Sequence, residues 1–244
     1  ERIKLILDNS TGTMRDDVCI ELARAYNQSG EYKKAIELFH SHVFVPCEGG
    51  EHAVAEQYMF AYYAAGRKLM SESKYAEAAE CFEKAQILPQ NLGAGLWNEC
   101  RLVPHQFYYA ECCKKIGRHN EAEKIYDHIL ELKIDYFSNM HLPELPYYQA
   151  MAYTEKGDFL SGRAIIDKYQ KKWNEAIKKE DAGYFGTTPF FISYCDDPKT
   201  ARKAYYSYLL GFAYRFMKRY EKSHEMFKNA VDCDRANVWY LIEE

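Results

Sequence analysis

The sequence predicts an all-α fold, a right-handed α-α superhelix of about five helix pairs joined by long connections. Three observations predict it. A six-position pattern of small, aromatic and turn residues returns five times in one register. Its three- and four-residue intervals place the small and aromatic residues of each half on one helical face. Pro46, Pro89, Pro104 and Pro143 all fall outside the helical runs, because proline lacks an N–H and clashes with the preceding turn.

The first copy reads Ala23, Tyr26, Gly30, Tyr32, Ala35 and Phe39, and the second Gly66, Leu69, Ser73, Tyr75, Ala78 and Phe82. The third is Ala110, Cys113, Gly117, His119, Ala122 and Tyr126, and the fourth Ala150, Tyr153, Gly157, Phe159, Gly162 and Ile166. The fifth is Gly211, Tyr214, Lys218, Tyr220, Ser223 and Phe227. Small residues at two fixed points let the helices of a pair approach closely, and the aromatics fill the gap between neighbouring pairs. Gly30, Gly117 and Gly157 stand where the first helix must stop, in a left-handed conformation that glycine tolerates.

In chain order, residues 2–8 read as the end of a helix whose partner lies upstream. Helices then pair at about 16–29 with 32–44, 53–72 with 75–88, 104–116 with 119–132, 144–156 with 159–178, and 200–217 with 220–232. One array is expected over 1–244, with repeats at roughly 16–44, 53–88, 104–132, 144–178 and 200–232. The connections at 45–52, 89–103 and roughly 179–199 are rich in aromatics and are expected to pack.

The order of small, aromatic and turn positions resembles the tetratricopeptide repeat, whose standard length is about 34 residues. The copies here are spaced more widely: Ala35 to Ala78 is 43 residues, Ala78 to Ala122 is 44, Ala122 to Gly162 is 40 and Gly162 to Ser223 is 61. Serine and lysine replace glycine at two turns, and Gly162 replaces the usual alanine. The insertions narrow the resemblance. Glu48-Gly49-Gly50-Glu51, Pro89-Gln90-Asn91-Leu92-Gly93, and Tyr184-Phe185 leading to Asp196-Asp197 and Arg202 are similar to motifs of one family of large bacterial proteins. That family joins a domain of unknown function, number 5107, to a repeat array of this sort. Ala94 departs from it by replacing an acidic residue. The resemblance implies a β-rich, sugar-related companion domain ahead of the array.

Composition bounds the rest. Hydrophobic residues at 48% and 22 tyrosines suffice to cover the inner faces of ten or so helices. A net charge of −4 with interspersed signs gives no basic stripe, which argues against nucleic acid as a partner. No apolar stretch approaches the roughly 20 residues that span a bilayer, and no signal peptide opens the chain. A start at Glu1 without methionine suggests a piece of a longer protein. The eight cysteines, none in a C-x-x-C pair, read as reduced, structural thiols of a cytoplasmic chain.

Candidate chemistry is sparse. His40 and His42 form H-x-H near a helix end and could join Cys47 on a metal, but residues two apart on a helix diverge, and no other metal motif supports them. Gly49-Gly50 and Gly93-Ala94-Gly95 could cradle a phosphate, yet neither follows a strand nor precedes a lysine–serine or lysine–threonine pair. Glycine at a sharp reversal is the simpler reading, and a docking loop formed by Glu48, Gly49, Gly50, Asn91 and Gly93 is the functional one. Glu48, Glu51, Glu99, Asp196 and Asp197 would be the candidates for a carboxylate pair in glycoside hydrolysis; exposed loop acids are the ordinary explanation. Cys112-Cys113 lies on a helix, where core packing outweighs a redox role. No catalytic residue, cofactor or metal is assigned.

The inner groove is the more productive region. In arrays of the resembled type the first helix of each pair lines a concave surface. On this chain that surface takes Arg24, Asn27 and Gln28, then Phe60, Tyr63 and Arg67, then Phe107, Glu111 and Lys114. Tyr147 and Met151 follow from the fourth pair, and Tyr205, Tyr208, Phe212 and Arg215 from the fifth. Aromatic and arginine enrichment marks binding hot spots; burial of the same rings against neighbouring first helices is the competing reading. Ile20 and Arg24 stand where a carboxylate clamp for chaperone tails needs lysine and asparagine, which disfavours that ligand. The sequence thus predicts a non-catalytic scaffold that packs its groove or loops against a companion domain. A free-standing adaptor for a peptide or helix, and loop acids completing a sugar site, are the alternatives.

Overall fold

The computed structural model describes residues 1–10, 14–46, 51–96, 98–179 and 197–243, with the side chains of 51, 52, 137 and 198 left aside. Cys47, Glu48, Gly49, Gly50, Tyr184, Phe185 and Asp196 therefore lie outside the described residues. Among those described, every regular element is helical. Contacts divide the chain into two compact units, Glu1–Leu132 and Lys133–Glu244.

The first unit opens with α1 (Arg2–Asn9), which packs on α2 (Asp16–Gln28). Helix α2 pairs with α3 (Tyr32–Ser41), α4 (Glu51–Ser71) with α5 (Tyr75–Ala85), and α6 (Val103–Lys115) with α7 (His119–Glu131). The first helices α2, α4 and α6 also touch in order, so the three hairpins stack. The second unit holds α8 (Tyr136–His141), the pair α9 (Leu145–Glu155) and α10 (Phe159–Ala176), the pair α11 (Pro198–Phe216) and α12 (Tyr220–Cys233), and α13 (Val238–Leu241). Pro104 sits in the first turn of α6 and not outside it, a position whose N–H has no intrahelical partner to lose.

The five expected turns share one geometry. Gly30, Ser73, Gly117, Gly157 and Lys218 all have positive φ, between 58° and 85°. The residue after each donates its N–H back to the carbonyl at the second pattern position: Glu31 to Tyr26 at 2.9 Å, Lys74 to Leu69 at 2.9 Å and Arg118 to Cys113 at 2.7 Å. Asp158 bonds Tyr153 at 2.8 Å and Arg219 bonds Tyr214 at 2.9 Å. This six-to-one bond satisfies a carbonyl that the helix end would otherwise strand, and it reverses the chain.

Close packing explains the small positions. A Cβ on Gly66 would lie 2.8 Å from the Phe82 ring, and one on Gly211 would lie 2.6 Å from Phe227. The last aromatic of each of these copies thus rests on the first small residue of the same copy. Ala23, Ala35, Ala78, Ala110, Ala122 and Ala150 are fully buried, as are Phe39, Phe82, Tyr126, Ile166 and Phe227. Burying each large ring stabilises the fold by about 1.5–3 kcal/mol. In the second unit, Ser223 donates its hydroxyl to the Gly211 carbonyl at 2.8 Å, a polar weld between α11 and α12. Gly162 has its own cause: a Cβ there would stand 2.5 Å from the Ala150 carbonyl oxygen.

Helix α3 ends at Ser41, three residues short of the expected 44, because residues 42–46 are extended and held on two sides. Asp16 accepts from His42 Nε2 at 2.7 Å and from the Val45 N–H at 2.8 Å. Asn91 donates to the Phe39 and His42 carbonyls, both at 2.7 Å, and its own carbonyl accepts the Phe44 N–H at 2.8 Å. Phe44 and Leu92 are buried, so these two connections are part of the core.

Two substitutions test this packing. Lys218→Gly relieves a left-handed lysine and should raise stability by roughly 0.5–1 kcal/mol. Gly162→Ala gains helix propensity but forces a methyl onto a backbone oxygen, and should lower stability by about 1–3 kcal/mol. Thermal or denaturant unfolding reads both, and opposite signs would contradict the geometry.

Candidate functional site

The predicted inner-face residues are built mostly into the hairpins. In the first unit Phe60, Tyr63 and Phe107 are almost wholly buried. Phe60 meets Tyr32 edge-on at 6.3 Å, and Phe107 lies 6.0 Å from Tyr126. Asn27 is buried too, donating its amide to the carbonyl and the side-chain oxygen of Gln57, each at 3.0 Å. It ties α2 to α4. Arg24 pairs with Glu21 one turn away, and Glu21 also holds Arg2 of α1.

Arg67 and Lys114 are different. Arg67 is half-buried, its guanidinium 4.5 Å from the Tyr108 ring centroid and 5.6 Å from that of Tyr63, while Nη1 donates to the Tyr63 hydroxyl at 2.8 Å. Tyr63 is in turn fixed by Phe82 at 6.1 Å, His105 at 5.4 Å and Tyr108 at 5.6 Å. Lys114 lies 5.9 Å from the Tyr126 ring, whose hydroxyl donates to Glu111 at 2.5 Å. Cations on aromatic faces gain about 0.5–2 kcal/mol and are held in direction. Arg24, Arg67 and Lys114 stand on three consecutive first helices of this unit.

In the second unit Tyr147, Tyr208 and Phe212 are buried. Phe212 lies 4.6 Å from Tyr147 and 4.9 Å from Tyr208, which also meets Tyr240 of α13 at 4.8 Å. Tyr205 is half-buried, and burial pushes its phenol above the usual range. Arg215 lies 4.5 Å from the Phe227 ring and pairs with Glu243, whose backbone carbonyl accepts a second bond at 3.1 Å. Glu243 and Tyr240 lie beyond the last predicted repeat, which ends at about residue 232. The available signal was Asn237 followed by the apolar run Val238-Trp239-Tyr240-Leu241, with Asn237 accepting from the Trp239 N–H as a helix cap.

Of the proposed docking residues, Asn91 and Gly93 are engaged inside the first unit. Gly93 has φ of 60°, and a Cβ there would stand 2.5 Å from the Phe44 carbonyl oxygen. His40 and His42 diverge, as side chains two apart should: His40 meets the Tyr62 hydroxyl at 2.8 Å, and His42 meets Asp16. Of the loop acids, Asp197 caps α11 by accepting from Thr200 and from the Lys199 N–H. Bonding to Thr200 first, and to the backbone next, holds its carboxyl below the ordinary range. Among the described residues no group of three His, Cys, Asp or Glu is placed to hold a metal ion. Burial pushes the Cys19 and Cys112 thiols up to about 12, far from the thiolate that reactivity requires. No described helix is long and apolar enough to cross a membrane.

Two tetratricopeptide repeat models match the chain, one over residues 18–49 and one over 204–237. The first covers the α2–α3 hairpin and the second the α11–α12 hairpin. These two hairpins are therefore matched as tetratricopeptide repeats. Among solved structures the chain is similar to the nearly identical TPR-like repeats of a kinesin light chain from Podosopora anserina, at 15% identity, 89% of this chain, 93% of that chain and a TM-score of 0.34. It is also similar to YrrB, a TPR protein with an unusual peptide-binding site, at 18% identity, 99% and 96% coverage and a TM-score of 0.33. Likeness at that level adds nothing on partner or chemistry. No curated protein matches the chain.

One buried group makes the first unit sensitive to acid. His105 is wholly buried at the start of α6, with Nε2 3.3 Å from the Met59 carbonyl. Burial drags its imidazole from 6.5 down to about 4. The unfolded chain therefore takes up a proton that the folded chain refuses. Stability is full above about pH 6.5 and declines as the pH falls towards 4, by at most ~3 kcal/mol. His105→Gln should flatten that decline. Denaturant midpoints of both proteins at several pH values across this window provide the check, and a wild-type midpoint that does not move would contradict it.

Proposed function

We propose that this tetratricopeptide-repeat array is a non-catalytic interaction scaffold that packs against a companion domain of its own polypeptide and orients it. The two units act as one array over 1–244 in this reading. The observation that carries it is Arg67, a half-buried guanidinium aimed by Tyr63 and Tyr108. An oriented arginine backed by desolvated rings is the chemistry of an interface hot spot, and its natural complement is a carboxylate. Arg24 and Lys114 stand on the adjoining first helices, Arg24 paired with Glu21 and Lys114 over the Tyr126 ring. Tyr205 and Arg215 are the corresponding residues of the second unit, Arg215 lying over the Phe227 ring and paired with Glu243.

The glycine-rich connections are the second contact in this proposal, through Glu48, Gly49 and Gly50 and through Asn91 and Gly93. A carbohydrate-related companion, and a bacterial and cytoplasmic setting, rest on the resemblance of the inserted motifs and on the inert thiols.

The test is the affinity of this chain for the adjoining segment of its own reading frame, supplied as a separate polypeptide. Arg67→Ala should weaken that binding at least about tenfold, or 1.4 kcal/mol, with Arg67→Lys recovering part of it. Equal affinity for wild type and Arg67→Ala, or no binding to any adjoining segment, would remove the proposal.

A further inference from the structure

The inner face of α11, in the Lys133–Glu244 unit, already carries an occupant drawn from the same chain. Tyr205, Tyr208, Phe212 and Arg215 follow one another at intervals of three, four and three residues, so they line one stripe of the helix. The segment that includes α13 lies against that stripe. Its Tyr240 ring stands 4.8 Å from that of Tyr208, and the Glu243 carboxylate pairs with Arg215. Arg215 Nη2 also donates to the Glu243 backbone carbonyl at 3.1 Å. Val238, Tyr240 and Glu243 are all buried.

Two properties make this contact exchangeable. The first is size. Helix α13 has four residues and follows a turn at 235–236. One helical turn has little stability of its own, so its order comes from the face beneath and from Asn237, which accepts the Trp239 N–H at 3.0 Å. The second is the chemistry of the anchor. Arg215 lies 4.5 Å from the Phe227 ring, and taking Glu243 away would strand its guanidinium beside that ring, which is costly. Another carboxylate in the same place restores the pair. The face resists standing empty but can trade one acid for another.

We propose that residues 238–243 are a ligand supplied in cis. They hold the α11 face closed until a partner displaces them with a helical turn that carries an aromatic ring and, three residues later, a carboxylate. That is the spacing of Tyr240 and Glu243, and it puts ring and acid on one side of a turn. The incoming ring meets Tyr208 and the incoming acid meets Arg215. The tether gives the cis segment an effective concentration in the range of about 1 mM, so an isolated turn loses the competition. A partner that makes further contacts beside the turn wins it, which makes the face selective. The Arg67 contact belongs to the other unit, and failure of either proposal leaves the other standing.

A fluorescently labelled peptide of residues 234–243, added to the whole chain and followed by anisotropy, tests the assignment. The wild-type chain should bind it weakly, because its own segment competes. The chain carrying Tyr240→Ala with Glu243→Gln should bind at least about tenfold more tightly, with a Kd of about 0.1 mM or below. Adding Arg215→Ala to that variant, or Glu243→Gln to the peptide, should each weaken binding about tenfold or more. Circular dichroism reports whether the variants keep their helices. Hydrogen exchange of the wild-type chain gives a second reading, and it decides alone should the double variant fail to fold. Amides of 238–243 should exchange at least about tenfold faster than those of α11 and α12. Equal affinity of wild type and a folded double variant, binding to neither, indifference to Glu243→Gln in the peptide, or exchange of 238–243 at the rate of α11 and α12 would each overturn the proposal.

Discussion

Each hairpin depends on one residue held in the left-handed region at the end of its first helix. That residue lets the following N–H reach back to a carbonyl of the last turn, and the bond recurs at all five turns within 2.7–2.9 Å. Without it the second helix could not fold back at the angle that lays Phe82 on Gly66 or Phe227 on Gly211. Turn, small residue and ring form one device. Its repetition explains why a chain with a mean hydropathy of −0.52 still buries a sizeable core.

The same device sets what the surface can do. Most aromatics that face inward are consumed by the packing between helices, so the rings of Phe60, Phe107, Tyr147, Tyr208 and Phe212 serve stability first. What they leave is direction. Arg67 and Arg215 lie over buried rings and point where those rings allow. Such side chains meet a partner with little further ordering, which lowers the entropic cost of association. Cys19 and Cys112 are held as thiols by burial, and His105 is neutral at any ordinary pH.

The fold was legible in the sequence because its signals are local. Pattern positions three and four apart, and glycine at three of five turns, located the paired helices to within a few residues. Even Ser73 and Lys218, which break the glycine rule, occupy the expected backbone conformation, since the register of the helices on either side imposes it. The early end of α3 was not legible, because it depends on Asp16 and Asn91, the latter some fifty positions downstream. The candidate site was legible as a set of faces and not as exposure. Helical spacing says which residues share a side, but only the neighbouring helix decides whether Tyr63 is a surface or a wall. Glu243 was out of reach for the same reason, since it follows α13 and its partner Arg215 lies on α11.

Amide hydrogen exchange of the chain, alone and with the companion domain proposed above, tests the central claim most directly. The account predicts slowed exchange in peptides of α4 and α6 that carry Arg67 and Lys114, with the outer helices α5 and α7 unchanged. Protection confined to the outer helices, or none anywhere, would contradict it.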